Sequence, residues 1–477
     1  MNDTLNNKSY LKGFIPYALV AFLIGFIGGL TTVLGPAFVK DINIPYNNTT
    51  WTALSLSISS AVFTPILGKL SDVIGRRKTL ILGIVIYLFG NILTAISNTL
   101  ILMIIARFIV GVGTAAIAPT VISYIIATFP TKAISKGFAL YMLISSSAVI
   151  FGPSIGGIIV NKWDYKVLMW ICVGIISLFL VLCTILSNEE RIIQKKNAYI
   201  DKFGFLFMII FFSLLLSIPS FGQNFGFISK TTLIVSGLTI LSLIGLLIAE
   251  KKAEKPALTG EFIFRVEFIL SIIILFLTQG LMQANMTNII VFVNYINPTN
   301  NVISGYAISI MYVGMSLGSI ILGPLADKYE PKRILLISLF LTAVGCGIMI
   351  LFNVQTSFYL LALSLGFLGL GLGANATIFM KVVLSNLPLE TVGSNTGIYG
   401  LFRDLTVPFG VAIFVPLFTN KISELINKPS YLITEAEAAV KSIHNLTIVE
   451  LMFILVGFIL VMFLPKIHNK KENINET

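Results

Sequence analysis

Apolar residues in this chain gather into runs of about 20 residues, parted by short polar segments, and that length crosses the hydrocarbon of a bilayer as one helix. Fourteen such spans are read, near 14–38, 51–70, 79–97, 99–127, 137–160, 166–187, 203–222, 231–249, 267–295, 302–325, 333–353, 356–385, 394–419 and 446–465. The third and fourth are parted only by Ser97-Asn98-Thr99. Outside the spans, the segment from Asn420 to Asn445 contains TEAEAAVKSI, which reads as a surface helix on an outer loop. The fold class expected is an all-α polytopic membrane bundle.

Composition agrees with that reading. The chain has 477 residues, 56% of them hydrophobic and only 11% charged, and its mean hydropathy is +0.95, beyond what a soluble core needs. The net charge of +11 does not indicate nucleic acid, because the cations are strung between apolar runs and form no aromatic-interleaved patch. They sort by side instead. With the N-terminus inside, the inner segments carry 23 of the 32 Lys and Arg and the outer segments 7, so both termini are expected in the cytoplasm. Cys172, Cys183 and Cys346 lie within apolar runs and imply no disulfide framework. The polar first 13 residues and the long run after them do not read as a cleavable signal. There is no GxxxxGK[ST] to drive an ATP engine, and His444 and His468 fall in a loop and the tail, so no metal cluster or catalytic triad is expected. An enzyme is the least favoured class, and no cofactor or metal is expected.

The charged stretch Gly68–Leu80, GKLSDVIGRRKTL, has a counterpart at Gly323–Leu335, GPLADKYEPKRIL. Gly68 matches Gly323, Asp72 matches Asp327, and Arg77 and Lys78 match Lys332 and Arg333, at an offset of 255 residues. The chain is therefore read as two related halves, each with a charged cytoplasmic hinge between its second and third helices. Six helices with short loops need about 200 residues, and the excess fits one inserted hairpin. The division expected is a six-helix half at 1–190, a hairpin with linkers at 191–260, and a second half at 261–477 with the outer loop at 420–445. Gly68 would permit close helix approach and Gly75 a tight turn. Asp72 suits a helix N-terminus, and Arg76, Arg77 and Lys78 would hold neighbouring acids and lipid headgroups.

Ionisable groups inside spans are costly and point to function. Arg107 and Arg403 are the two cations read within spans. Asp404 is the acid placed well inside one, whereas Glu267 and Glu450 are placed near span ends. Desolvation and a nearby Arg pull a carboxyl in opposite directions, which suits a proton carrier. Adjacent helical residues point about 100° apart, so Arg403 and Asp404 need not pair. Gly152-Pro153 and Gly156-Gly157, in AVIFGPSIGGII, would let helices pack backbone to backbone. The ninth span is rich in amides. Gln279, Gln283, Asn285 and Asn288, with Asn375, are candidates either for substrate contact in a water-filled cavity or for interhelical bonding.

These motifs resemble the major facilitator superfamily, and in particular its 14-helix drug:proton antiporter branch, which includes Gram-positive tetracycline and quaternary-ammonium exporters. The hinge matches that family's GxLaDrxGrkxxl, closely at Gly68 and in degraded form at Gly323. The resemblance implies that Asp72 latches the outward-open state against the helix beginning near Ser394. It also implies that Arg107, in ARFIVGVGTAA, corresponds to the RxxqG arginine linked to proton transfer, with Val110 in place of Gln. GPxxGG at Gly152–Gly157 is similar to the motif of proton-driven exporters rather than importers. Two positions depart from the pattern: Lys132, in PTKAISKG, stands where an acid is usual, and Gly29 replaces a helix-one acid of quaternary-ammonium exporters. The second half keeps Glu390, in PLETVG, to pair with Lys332 or Arg333. The function implied is alternating-access export of a drug-like or toxic small molecule, driven by protons through Asp404, Arg403 and Arg107. The site would be a bacterial inner (plasma) membrane, with the protein a monomer. The alternatives are a proton-coupled importer on the same fold and a non-transporting membrane sensor or scaffold.

Overall fold

The computed structural model describes residues 9–42, 46–129, 134–186, 202–253, 260–297, 302–384, 389–427 and 433–465, and every regular element among them is a helix. In order these are α1 (Ser9–Thr31), α2 (Leu34–Ile42), α3 (Tyr46–Ile74), α4 (Arg76–Ile96), α5 (Leu100–Ala115), α6 (Ile117–Thr128), α7 (Ile134–Lys162), α8 (Tyr165–Leu186), α9 (Lys202–Phe225), α10 (Lys230–Lys252), α11 (Gly260–Ile263), α12 (Val266–Ile296), α13 (Val302–Lys328), α14 (Pro331–Met349), α15 (Phe358–Leu384), α16 (Leu389–Ile426) and α17 (Glu435–Met462). Among the described residues, 12 helices are long and apolar enough to cross a membrane, and two shorter apolar stretches, Ser147–Lys162 and Phe203–Pro219, lie in α7 and α9. Together they correspond to the fourteen spans of the sequence reading.

Two of those spans are broken, for one reason. A proline has no N–H for the carbonyl four residues earlier and its ring crowds that carbonyl, which weakens the helix there. Pro36 does this at Thr32, where α1 gives way to α2, and Pro119 at Ala115, where α5 gives way to α6. At the first break, Thr32 N and Thr32 Oγ1 both donate to Gly29 O, at 3.2 and 2.7 Å.

The chain divides into two compact units, Met1–Ala257 and Leu258–Thr477. In the first, α1 packs on α7, α3 on α5, and α4 on both α5 and α8; in the second, α12 packs on α16 and α17, α13 on α15, and α14 on α15 and α17. The hairpin α9–α10 belongs to the first unit. It docks on α3, with Trp51 and Phe221 meeting edge to face at 5.4 Å. Its outer helix, α10, leaves Leu233, Ile240, Leu241 and Leu247 exposed, as a lipid-facing helix must.

The C-terminal region corrects one expectation. TEAEAAVKSI is not a separate helix on an outer loop at 420–445. α16 runs on to Ile426, and TEAEAAVKSI is the capped beginning of α17. Thr434 is its N-cap: its hydroxyl accepts from Glu437 N at 3.3 Å, and the Glu437 carboxylate accepts from Thr434 N at 3.0 Å, a complete capping box. His444 likewise sits within α17, where its Nε2 bonds Phe352 O at 2.9 Å.

Candidate functional site

The two hinges are built alike. Gly75 turns the chain between α3 and α4 with φ of 97°, a conformation that needs glycine. In the second hinge Glu330 takes its place at φ −57°, and Pro331 opens α14 at its first position. A Cβ on Gly68 would lie 3.2 Å from Pro119, and one on Gly323 lies equally close to Thr377. The hinge cations reach helix-end carbonyls and a hydroxyl as well as an acid. Arg77 donates to Thr184 O at 3.2 Å, in the last turn of α8, and Lys332 donates to Met462 O, the last residue of α17. Each therefore caps the carbonyl end of its own half's final helix, where the dipole favours a cation. Arg76 Nε donates to Ser123 Oγ at 3.0 Å, and Arg333 pairs with Glu330 at 3.4 Å. Asp72, Asp327 and Glu390 stand on α3, α13 and α16, but their side chains, like Lys132 and the side chain of Gln283, lie outside the described residues.

Arg107 is buried, at 5% exposure, rather than extended to the outer surface. Its guanidinium lies over the Phe38 ring at 5.5 Å, a contact worth about 0.5–2 kcal/mol when desolvated. Tyr87, Cys172 and Tyr165 are within its electrostatic reach. Asn91 joins this polar cluster by donating to Tyr87 O at 2.8 Å.

The GPxxGG segment forms the α1–α7 crossing. A Cβ on Gly152 would fall 2.6 Å from Gly29 Cα, and one on Gly156 falls 2.4 Å from Leu30 O. Gly157 and Pro153 are buried in the same helix. The second unit repeats this device: a Cβ on Gly410 would fall 2.2 Å from Gly280 Cα, where α16 crosses α12. The sequence reading missed that pair because neither glycine sits in a recognisable string, and the 255-residue offset carries Gly152 to Val407 and Gly29 to Ala284 rather than to this pair.

Arg403 and Asp404 do pair, which the roughly 100° between their directions allows but does not require. Arg403 Nε and Nη2 both donate to Asp404 Oδ1, at 2.9 and 2.8 Å. One turn earlier, the buried Tyr399 hydroxyl has no hydrogen-bond partner. The amides of α12 tie helices together: Gln279 donates to Leu372 O on α15 at 3.3 Å, and Asn288 to Phe414 O on α16 at 3.4 Å. Asn375 accepts from Ser338. These three are at most 7% exposed and make interhelical bonds in this arrangement, whereas the equally buried Asn285 amide makes none. Glu450, expected near a span end, lies in the middle of α17 with 0% exposure, beside Asn285 and Cys346. No group of His, Cys, Asp or Glu among the described residues is placed to hold a metal.

Two six-helix arrangements repeated in one all-α chain, with charged hinges and paired glycine crossings, define a polytopic transporter fold. The family description "Major Facilitator Superfamily" matches residues 17–411 and 272–476, and the chain belongs to that family. It is a family of membrane transporters, not enzymes. The chain is similar to Multidrug resistance protein 3 of Bacillus subtilis, 24% identical over 78% of this chain and 74% of that one. It is also similar to the quinolone resistance protein NorB of Staphylococcus aureus, 28% identical over 85% of this chain and 87% of that one. Among solved structures, a D-xylose-proton symporter shares the fold with a TM-score of 0.67 at 16% identity, covering 97% of this chain and all of that one.

Proposed function

We propose that this protein is a proton-driven secondary exporter of drug-like or toxic small molecules, working by alternating access in a bacterial plasma membrane with both termini in the cytoplasm. The observation that carries the reading is the α1–α7 crossing. GPxxGG there is an exporter motif, and its glycines are in backbone contact with Gly29 and Leu30. The names of the bacterial relatives support the same direction of transport.

In this mechanism the protein alternates between inward-open and outward-open states, and protons entering down the membrane potential supply about 2.3 kcal/mol per 100 mV. Asp404 takes and releases the proton, and Arg403, held against it, stabilises the ionised form. Arg107, buried in the first half, supplies the fixed charge there. Asp72, Glu390 and the hinge cations latch the cytoplasmic ends. Substrate must favour one state over the other for the cycle to turn, and the amide face of α12 with Asn375 is where polar substrate groups would exchange for the interhelical bonds now made. The chain works as a monomer and needs no cofactor beyond protons. A proton-coupled importer is the second reading, because the fold is shared with a protein named as a symporter.

The test is susceptibility to ethidium, norfloxacin and tetracycline in a pump-deficient host with and without the gene, followed by uptake of the same compounds into inverted vesicles. Lowered susceptibility, with uptake that collapses when a protonophore is added, is the expected result. Accumulation by whole cells instead of loss would establish the importer, and no difference for any compound would remove drug export.

A further inference from the structure

Glu450 is buried with 0% exposure where α17 packs against α12, α14 and α16. Neither carboxyl oxygen has a hydrogen-bond partner, and neither polar atom of the Asn285 amide, also at 0% exposure, has one. The two groups are neighbours, with the Cys346 thiol of α14 as the third. They are close enough to act on one another, but in this arrangement their atoms do not meet hydrogen-bonding geometry. No cation faces the carboxyl among the described residues: α12 contributes the neutral Asn285, α14 the neutral Cys346, and α16 no charged group that bears on it. An ionised carboxylate here would be a bare charge in a dry apolar site, which proteins avoid by neutralising the group.

Four orphaned polar atoms on two adjacent side chains have a simple resolution. A neutral carboxylic acid and a primary amide can exchange two hydrogen bonds face to face: the acid O–H donates to the amide oxygen, and the amide N–H donates to the acid carbonyl. Only the protonated acid can do this, since a carboxylate has no hydrogen to donate. That exchange would satisfy all four atoms.

We infer that Glu450 and Asn285 form a proton-binding site that joins α17 to α12, closed when Glu450 holds its proton and open when the proton leaves. The inference rests on the proton-driven reading for its use but not for its existence. α12 is the helix this site would move. It carries the Gly280–Gly410 crossing and the Gln279 and Asn288 bonds to α15 and α16. Loss of the proton frees α12 from α17, and entry of water to hydrate the carboxylate holds the two apart. The site is separate from the Asp404–Arg403 pair: Asp404 is partly exposed and has its arginine, whereas Glu450 is closed off and has an amide.

The test uses the purified full-length protein, infrared difference spectroscopy across a pH titration, and the variants Glu450→Gln and Glu450→Ala. Gln keeps the shape and can pair with Asn285, so it stands for the permanently protonated acid. The expected result is a carboxylic-acid C=O band in the wild type that bleaches as pH rises, is missing from both variants, and shifts in Asn285→Ala. In proteoliposomes, Glu450→Gln should exchange ethidium across the membrane yet lose its accumulation under a pH gradient. A spectrum identical in wild type and both variants would overturn the proposal, as would a Glu450 band that persists unchanged through the titration, which would mark a purely structural acid. If the wild type itself shows no gradient-driven accumulation of ethidium or norfloxacin, the proton-driven reading fails, and the infrared titration still decides the site.

Discussion

A single methyl group probes the glycine crossings. Gly152→Ala would place its Cβ 2.6 Å from Gly29 Cα, and Gly410→Ala 2.2 Å from Gly280 Cα, with backbone rather than flexible side chains in the way. The helices must part, and such overpacking costs about 1–3 kcal/mol. Both variants should show a lowered melting temperature in detergent and reduced vesicle transport; a Gly152→Ala protein with unchanged melting would mean that α1 and α7 are not held together there. At Asp404, the pair with Arg403 changes what a substitution does. Both side chains are about a third exposed, so the pair itself adds little stability. Asp404→Asn should leave folding near wild type, abolish substrate-evoked proton movement in inverted vesicles, and spare part of substrate binding. Robust proton-coupled export by that variant would clear Asp404 of the role. The sequence placed Asp404 and Arg403 correctly on one helix but not as partners. Cβ directions separate neighbours by about 100°, yet an arginine is long enough to reach back around the helix.

The helices were legible wherever apolarity alone sets their limits, and not where chemistry does. α17 is the instructive case. An apolar window starts it at 446, but the helix begins at Glu435, because Thr434 and Glu437 complete a capping box and Ala438, Ala439, Ser442 and Ile443 are buried against the unit. The T-x-x-E signature was present in the sequence and outweighs the polarity of the first three turns. Moving the start by eleven residues carries Glu450 from a span end to mid-helix, so a missed cap concealed a buried acid. Thr434→Ala removes half of the box and should cost about 1 kcal/mol. Hydrogen exchange should quicken at the amides of residues 435–440 and stay unchanged beyond Glu450. Uniform acceleration along α17 would show instead that the cap holds the whole helix. The breaks after Thr31 and Ala115 were not read, and a proline alone does not mark them, since Pro65 and Pro153 lie inside continuous helices.

The repeat runs through the whole molecule, although the sequence displays it only at the hinges. At an offset of 255, Arg77 and Lys332 each cap the last turn of their half's final helix, on Thr184 and on Met462. Ser97 and Phe352, at that same offset, each give a carbonyl to the first or middle turns of that helix, to Tyr165 at 2.5 Å and to His444 at 2.9 Å. The residue types differ because these positions need only a donor of the right reach, so identity drifts while geometry persists. Within each unit the hinge cations and the end of the final helix therefore share one side, and the Ser97 or Phe352 contacts lie at the other. If the cation-rich side is cytoplasmic, the last turn of α10 holds Lys251 inside and Asn427, just past α16, lies outside, both exposed. Cys172, Cys183 and Cys346 are each 0% exposed, so the wild-type protein is its own unreactive background. A membrane-impermeant maleimide should label Asn427→Cys on intact cells and Lys251→Cys only after permeabilisation. Labelling of both from one side would mean an even number of crossings between them, in place of the five expected from α12 to α16, and change the count of fourteen. Reversal of the two sides would invert the orientation and, with it, the direction in which a proton gradient could drive export.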